Sequence, residues 1–236
     1  MKTLLLSDLH SNIAALEAVW NKEHDADRVL CAGDIVDYGP HPAECVDWMI
    51  AHDATVVRGN HDESVVGAFR HPTDDEIVPW RVHNARKLSE RHGGCLPNLP
   101  VACVVEIDGI EYGMTHAYQN YEIIRSLEGF RSFCDSRFGR TIHRIIFGHT
   151  HRREVHYLAD DTLRMNPGSS SYRRQDDPDQ RAHYAVIQDG QISLRAATYP
   201  VEPLYEYARQ ARVVDSDRNY ALYFWGPRPW AEKRAR

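Results

Sequence analysis

The sequence predicts an α/β protein with a mostly parallel sheet joined to antiparallel strands, and three observations carry that prediction. Between residues 3 and 57, three short apolar runs alternate with two amphipathic stretches. That order, strand–helix–strand–helix–strand, lays strands side by side in parallel. Farther along, Asp108-Gly109 and Asp189-Gly190 each separate two strand-like runs, a strong hairpin signal that adds antiparallel pairs. The third observation is chemical. Short polar motifs rich in Asp, His and Asn follow the apolar runs, where the strand ends of an α/β sheet line a crevice.

In chain order, residues 3–7 make the first strand, with Asp8 and His10 at its end. Spaced two apart, they are expected on one face of an extended chain. Ser11 or Asn12 can cap the following helix, whose apolar face runs Ile13, Leu16, Val19, Trp20. The run Arg28–Ala32 is a second strand, closed by Gly33 with Asp34 just beyond. Pro40 and Pro42 introduce a helix carrying Cys45, Val46, Met49 and Ile50. A third strand, Ala54–Val57, runs into Arg58-Gly59-Asn60-His61-Asp62.

Residues 63–100 are charged and aromatic, broken near Pro72 and Pro79, and are expected as a helical insertion overhanging the site. The hairpin 101–107/110–115 ends at His116. Residues 121–139 read as mixed helix and loop, and 142–147 as a buried strand ending at Gly148-His149-Thr150-His151. Strand pairs follow at 153–165, turning at Asp160-Asp161, and at 182–198. Between them lie Asn166-Pro167-Gly168-Ser169 and a polar run with Arg173 and Arg174. From Tyr199 the pattern is helical, ending in the aromatic cluster Tyr220, Tyr223, Phe224, Trp225 and Trp230. We therefore expect one domain over 1–198, with 199–236 as a helical, aromatic extension packed on it.

Composition narrows the function. The chain has 236 residues, 42% hydrophobic and 26% charged, as in an ordinary globular domain. A net charge of −6 argues against an extensive nucleic-acid surface or an anionic membrane partner. It leaves phosphorylated substrates open, because bound cations reverse the local sign. The five cysteines show no C-x-x-C spacing and read as reduced, mostly core thiols. Leu4-Leu5-Leu6 is too short for a signal-peptide core and no apolar run would span a bilayer, so the expected location is cytoplasmic.

The polar motifs offer carboxylate, amide oxygen and imidazole, without thiolate. That donor set suits Mn²⁺, Fe or Zn²⁺ better than a cysteine-rich structural zinc site. Asp34 is the candidate to bridge two ions that the other motifs surround.

The order Asp8-x-His10, Gly33-Asp34, Gly59-Asn60-His61-Asp62, His116, Gly148-His149-x-His151 resembles the calcineurin-like metallophosphoesterase superfamily over about residues 1–198. Val36-Asp37-Tyr38-Gly39-Pro40 and Asn166–Ser169 are similar to its compact bacterial phosphodiesterase and dinucleoside-polyphosphatase-like members. The resemblance implies a four-layer α-β-β-α sandwich of two packed mixed sheets. It implies Asp8, His10 and His151 on one metal ion, Asn60, His116 and His149 on the other, and Asp34 between them. It further implies His61 as general acid beside a metal-activated hydroxide, oriented by Asp37, with Asp62 as a cap or outer acceptor. The substrate would be small and phosphorylated, nucleotide-like, a phosphodiester or phosphomonoester. The alternatives are a dinucleoside polyphosphate hydrolase and a catalytically silent scaffold, though no ligand is missing. Tyr38 stands where the superfamily's protein phosphatases carry a phosphate-gripping arginine; with Arg173 and Arg174 it is a candidate substrate contact. Ser11 replaces a usual glycine, a change expected to be tolerated.

Overall fold

The structure, a computed structural model, describes residues 1–117, 123–171, 174, 176–177 and 179–226. Among these residues, one five-stranded sheet has the order β10-β9-β1-β2-β3 and a second the order β4-β5-β6-β8-β7. In the first sheet β1 (Thr3–Leu6), β2 (Arg28–Cys31) and β3 (Thr55–Val56) run parallel. The hairpin β9 (Ala182–Gln188) and β10 (Gln191–Ala197) adds to β1 antiparallel. The second sheet joins the hairpin β4 (Ala102–Ile107) and β5 (Ile110–Thr115) to β6 (Arg144–Ile146) and β8 (Leu163–Asn166) in parallel. Strand β7 (Glu154–Tyr157) closes that sheet antiparallel to β8.

The two hairpin turns follow from their residues. Asp108 and Gly109 have φ of 51° and 77°, and Asp189 and Gly190 have 52° and 73°. Positive φ at both central positions is what a two-residue turn needs to match the twist of its strands, and Asp-Gly tolerates it.

Alternation along β1 sets the layers. Leu5, with Leu30, Ala32, Ala185 and Ile187, faces Val105, Tyr112, Met114, Ile146 and Met165 of the second sheet. Leu4 and Leu6 point the other way, into the helical layer. That layer comprises α1 (Ile13–Glu23), α2 (Pro42–Ala51), α3 (Asn60–Arg70), α4 (Trp80–Ala85), α5 (Glu90–Cys95), α7 (Glu202–Gln210) and α8 (Asp215–Trp225). On the far side α6 (Leu127–Phe138) covers the second sheet with Phe130, Phe133 and Cys134. Helix, sheet, sheet, helix is the expected four-layer order, and each sheet mixes parallel with antiparallel pairs.

Asn12, not Ser11, caps α1, its Oδ1 accepting from Ala15 N at 3.0 Å. Pro42 opens α2, where a missing N–H costs nothing. The five cysteines are all free. No helix among the described residues is long and apolar enough to cross a membrane.

The segment 63–100 is helical, but it buttresses the site instead of overhanging it. Asn84 of α4, fully buried, accepts from Ser11 Oγ at 2.6 Å and from Asp37 N at 3.2 Å, and donates to Gly39 O at 3.1 Å. The C-terminal helices dock on the same segment. Trp80 donates through its backbone N to Asp217 Oδ2 at 2.8 Å and through Nε1 to Asp217 O at 3.0 Å. Val214 N donates to Val78 O at 3.1 Å. Trp230 of the expected aromatic cluster lies outside the described residues.

The inter-sheet core gives a stability prediction. Leu5 is fully buried between the sheets, so Leu5→Ala should lose about 2–5 kcal/mol in urea unfolding, from lost transfer energy plus the cavity left behind. A loss below about 1 kcal/mol would show that the layers close over the gap.

Candidate metal centre

Strands of both sheets end at one rim, and the polar motifs lie just beyond those ends. They are not delivered by the strands directly: β1 stops at Leu6, β2 at Cys31 and β6 at Ile146. Between strand end and side chain the backbone leaves the extended region. Asp8, His10, Ser11, Asp34, Asp37, Tyr38, His149 and His151 all have φ between 46° and 84°. Non-glycine residues are uncommon there, and such strain persists where its surroundings enforce it. The period-two argument for Asp8 and His10 is thus replaced by left-handed turns that aim both side chains inward. Ser11 has φ of 55°, which accounts for the usual glycine. Its hydroxyl compensates through the bond to Asn84.

Two clusters of ligand-type atoms result. Asp8, His10 and His151 form one, with all three ligand atoms within 4.8 Å of one another. His10 Nε2 and His151 Nε2 are 3.2 Å apart, and His151 Nε2 is 3.3 Å from Asp8 Oδ1. Asp34, His116 and His149 form the other, with His116 Nε2 3.1 Å from Asp34 Oδ2 and 3.1 Å from Asn60 Oδ1. His116 Nε2 also lies 4.0 Å from Asp8 Oδ1, so the clusters adjoin.

Outer contacts aim these groups. His116 Nδ1 donates to Ala32 O at 2.7 Å, which turns Nε2 toward the cluster. Asp8 accepts from Ser7 Oγ at 2.6 Å and from His149 N at 3.0 Å. The Asn166–Ser169 motif braces two loops together. Ser169 Oγ donates to Asp8 O at 2.8 Å, and Asn166 Nδ2 donates to Gly148 O at 2.6 Å. Asp62 does most. It accepts from Asp34 N (3.0 Å), Ile35 N (2.8 Å), Val36 N (3.1 Å) and Gly59 N (2.9 Å). A side chain on Gly59 would place its Cβ 2.0 Å from Asp34 Oδ1, so only glycine lets α3 start this close.

His61 sits beside the clusters. Its Nδ1 is 2.7 Å from Asp37 Oδ2, its backbone N donates to Asp34 Oδ1 at 2.9 Å, and its ring lies 5.0 Å from that of His10. Burial pulls His61 down, but the Asp34 charge and the Asp37 bond outweigh it and raise the imidazole to about 9. His116 follows the same balance and reaches about 10, burial opposed by Asp34 and Asp8. Burial, with His61 nearby, drives His10 the other way, well below its ordinary value. Asp34 is held low: burial opposes its charge, but the surrounding histidines prevail.

The donor chemistry fits first-row ions: buried carboxylates and imidazoles face each other with no lysine or arginine among them. A cleft of about 490 Å³ opens over the clusters, lined by His10, Asp34, Tyr38, His61, His149 and His151. Its walls add Ile123, Thr150, Arg152, Arg174, Asp176, Tyr220 and Phe224. Residues 63–100 contribute nothing to that lining. Arg174 does line it, with Nε on Asp176 Oδ1 at 2.8 Å and NH1 on the Thr150 carbonyl, so it braces the His149–His151 loop. Arg173 lies outside the described residues. Sequence reasoning missed Tyr220 and Phe224 as cleft residues, since helical spacing in the extension does not say which layer it meets.

Fold and clusters together define a two-sheet α/β protein with an oxygen- and nitrogen-rich rim suited to metal ions. The model of the calcineurin-like phosphoesterase superfamily domain matches residues 1–189, so the chain belongs to that superfamily and is a metal-dependent phosphoric ester hydrolase. It is 29% identical over 222 residues to the uncharacterized protein MJ0912 of Methanocaldococcus jannaschii, covering 86% of this chain and 89% of that one. A metallophosphoesterase of Sphaerobacter thermophilus superposes with a TM-score of 0.74 at 25% identity, over 94% of this chain and 98% of the other. The hypothetical protein PH1004 of Pyrococcus horikoshii has a TM-score of 0.76 at 14% identity, over 96% and 99%, which shows the shared fold.

Removing the Asp62 carboxylate tests the outer scaffold. Asp62→Ala orphans the N–H groups of Asp34, Ile35, Val36 and Gly59, each worth about 1–3 kcal/mol when buried without an acceptor. Metal titration should show affinity reduced about 10–100-fold, with several kcal/mol lost in urea unfolding. Unchanged affinity would mean that the loop holds its shape unaided.

Proposed function

We propose that the protein hydrolyses small, nucleotide-like phosphoesters with two metal ions and a separate general acid. The observation that carries this reading is the placement of His61. It stands in the cleft beside both clusters, paired with Asp37 at 2.7 Å, and belongs to neither ligand group.

Asp8, His10 and His151 would hold one ion and Asn60, His116 and His149 the other, with Asp34 bridging. Manganese, iron and zinc all suit these donors. When bound, two such ions would acidify a water and polarise the phosphoryl group.

The chain's own part in the reaction is proton supply. With Nδ1–H donated to Asp37, the transferable proton of His61 is on Nε2, the nitrogen available to a departing oxygen. Asp37 is only 5% exposed, so its negative charge stabilises the imidazolium with little screening. Tyr38 packs its ring 5.0 Å from that of His61. The cleft volume, about 490 Å³, falls within the usual ~300–1,000 Å³ of small-molecule sites. A silent scaffold is disfavoured because ligand set and acid are both complete.

Two measurements test the division of labour. In Asp34→Asn, metal analysis should find both ions weakened together and turnover abolished, whereas His116→Ala should affect chiefly one ion. Two retained ions with near-normal activity in Asp34→Asn would remove the bridge.

His61→Ala should keep its metal content but lose rate according to the leaving group. Positioned acids contribute ~10²–10⁴-fold, and a nitrophenolate leaves without such help while a ribose or alkyl oxygen does not. Single-turnover rates should therefore fall far more for alkyl or nucleoside esters than for nitrophenyl esters. Equal losses would make His61 a phosphate-positioning group, and lost metal would make it a ligand.

A further inference from the structure

The loop that carries Asp37 turns in a way its residues do not favour. Asp37 and Tyr38 have φ of 84° and 61°, where residues with a Cβ stay only if their surroundings hold them. That turn aims the carboxylate. Asp37 Oδ1 accepts from Tyr38 N at 2.8 Å, and Oδ2 meets His61 Nδ1 at 2.7 Å. The turn also lies close against the His10 loop. Gly39 N donates to His10 O at 3.1 Å, and a Cβ on Gly39 would fall 2.3 Å from that oxygen.

One side chain from a different element spans this turn. Asn84 of α4, fully buried, accepts through Oδ1 from Asp37 N at 3.2 Å and donates through Nδ2 to Gly39 O at 3.1 Å. A single amide therefore holds both ends of the turn. Its Oδ1 also accepts from Ser11 Oγ at 2.6 Å, next to His10. The position calls for an acceptor facing two donors and a donor facing a carbonyl. An amide supplies both; a carboxylate loses the donor, and an aliphatic side chain supplies neither. Lys87 Nζ extends the grip by donating to Pro40 O at 2.8 Å.

We infer that Asn84 is a positioning residue for the reaction: through the 37–39 turn it keeps the Asp37 carboxylate on His61. The inference rests on His61 as the acid and adds a requirement for α4, which supplies neither a candidate ligand nor the acid. Without the amide the turn is free to relax toward commoner backbone angles. Oδ2 then leaves Nδ1, and the imidazole loses the contact that orients Nε2. The candidate ligands keep their own anchors, Asp8 on Ser7, Asp34 on Asp62 and His116 on Ala32. The damage is thus confined to the step that needs a proton.

The test runs Asn84→Ala beside His61→Ala on the manganese-loaded full chain, with an alkyl and a nitrophenyl phosphoester in single turnover. Misplacing a reacting group by about 1 Å costs up to about 10²-fold. Asn84→Ala should slow the alkyl ester about 10- to 100-fold, spare the nitrophenyl ester and leave KM unchanged. In a His61→Ala background it should add no further alkyl-specific loss. A second readout needs neither metal nor turnover: the low-field His61 Nδ1–H resonance of the metal-free chain. It should be present in the wild type, vanish in Asp37→Ala, and vanish in Asn84→Ala with the rest of the amide spectrum preserved. Should the alanine variant unfold, Asn84→Asp keeps the volume and the acceptors and removes only the donor to Gly39 O; it should show the same pattern, weaker. Equal losses for both esters, a loss that persists without His61, or an undisturbed resonance would each overturn the inference, as would a wild type lacking the resonance. If His61→Ala itself slows both esters alike, the acid reading falls. The resonance alone then decides, its loss in Asn84→Ala upholding the positioning of the pair and its retention overturning it.

Discussion

One buried carboxylate, that of Asp62, gathers backbone N–H groups from Asp34, Ile35, Val36 and Gly59. Through it the first turn of α3 and the loop after β2 become one object. Asn60 and His61 come from the helix, Asp34 and Asp37 from the loop. The contact between His61 Nδ1 and Asp37 Oδ2 then follows from backbone bonds one to three residues before Asp37. Burial and the Asp34 charge push Asp62 up to about 6, against the pull of its N–H donors. A cation on Asp34 removes part of that push, so metal binding and this scaffold reinforce each other.

The fold was legible where local chemistry decides conformation. Asp108-Gly109 and Asp189-Gly190 specify their turns by backbone preference alone, and the parallel order of β1, β2 and β3 follows from the alternation of apolar runs with helices. The candidate ligand side chains were named from their order along the chain. How they converge was not: left-handed backbone at Asp8, His10, Asp34, His149 and His151 leaves no pattern that periodicity detects. Nor did sequence show what residues 63–100 and 199–226 do. An amphipathic helix announces that one face is buried, but not against which partner. Asn84, near the end of α4 and fully buried beneath the Ser11 and Asp37 loops, is the clearest case. Its neighbours in sequence give no hint of that location.

The two sheets divide the work. The first supplies Asp8, His10, Asp34 and, through α3, Asn60 and His61; the second supplies His116, His149 and His151. The candidate centre therefore exists only where the sheets meet, and each cluster draws from both. Asn166, the last residue of β8, and Ser169, just past it, span that junction by binding Gly148 and Asp8. Packing between the sheets and convergence at the rim are thus one structural problem, and a shift of one sheet against the other would split both candidate ligand sets.

Charge balance explains why such a rim can fold at all. Asp8, Asp34 and Asp62 are essentially inaccessible to water, and uncompensated carboxylates in that setting are costly. Hydrogen bonds from Ser7, His149 and the backbone satisfy their oxygens, and His116 and His61 hold protons against the pull of burial. The His116 proton lies against Asp34, with Nε2 3.1 Å from Oδ2, and balances that carboxylate. An ion on that nitrogen would displace the proton, so its affinity would rise with pH until the proton is gone. His61 differs because its partner carboxylate, Asp37, lies outside both clusters. The Asp34 charge and the Asp37 contact at 2.7 Å together raise its imidazole, and the second of these comes from outside both clusters.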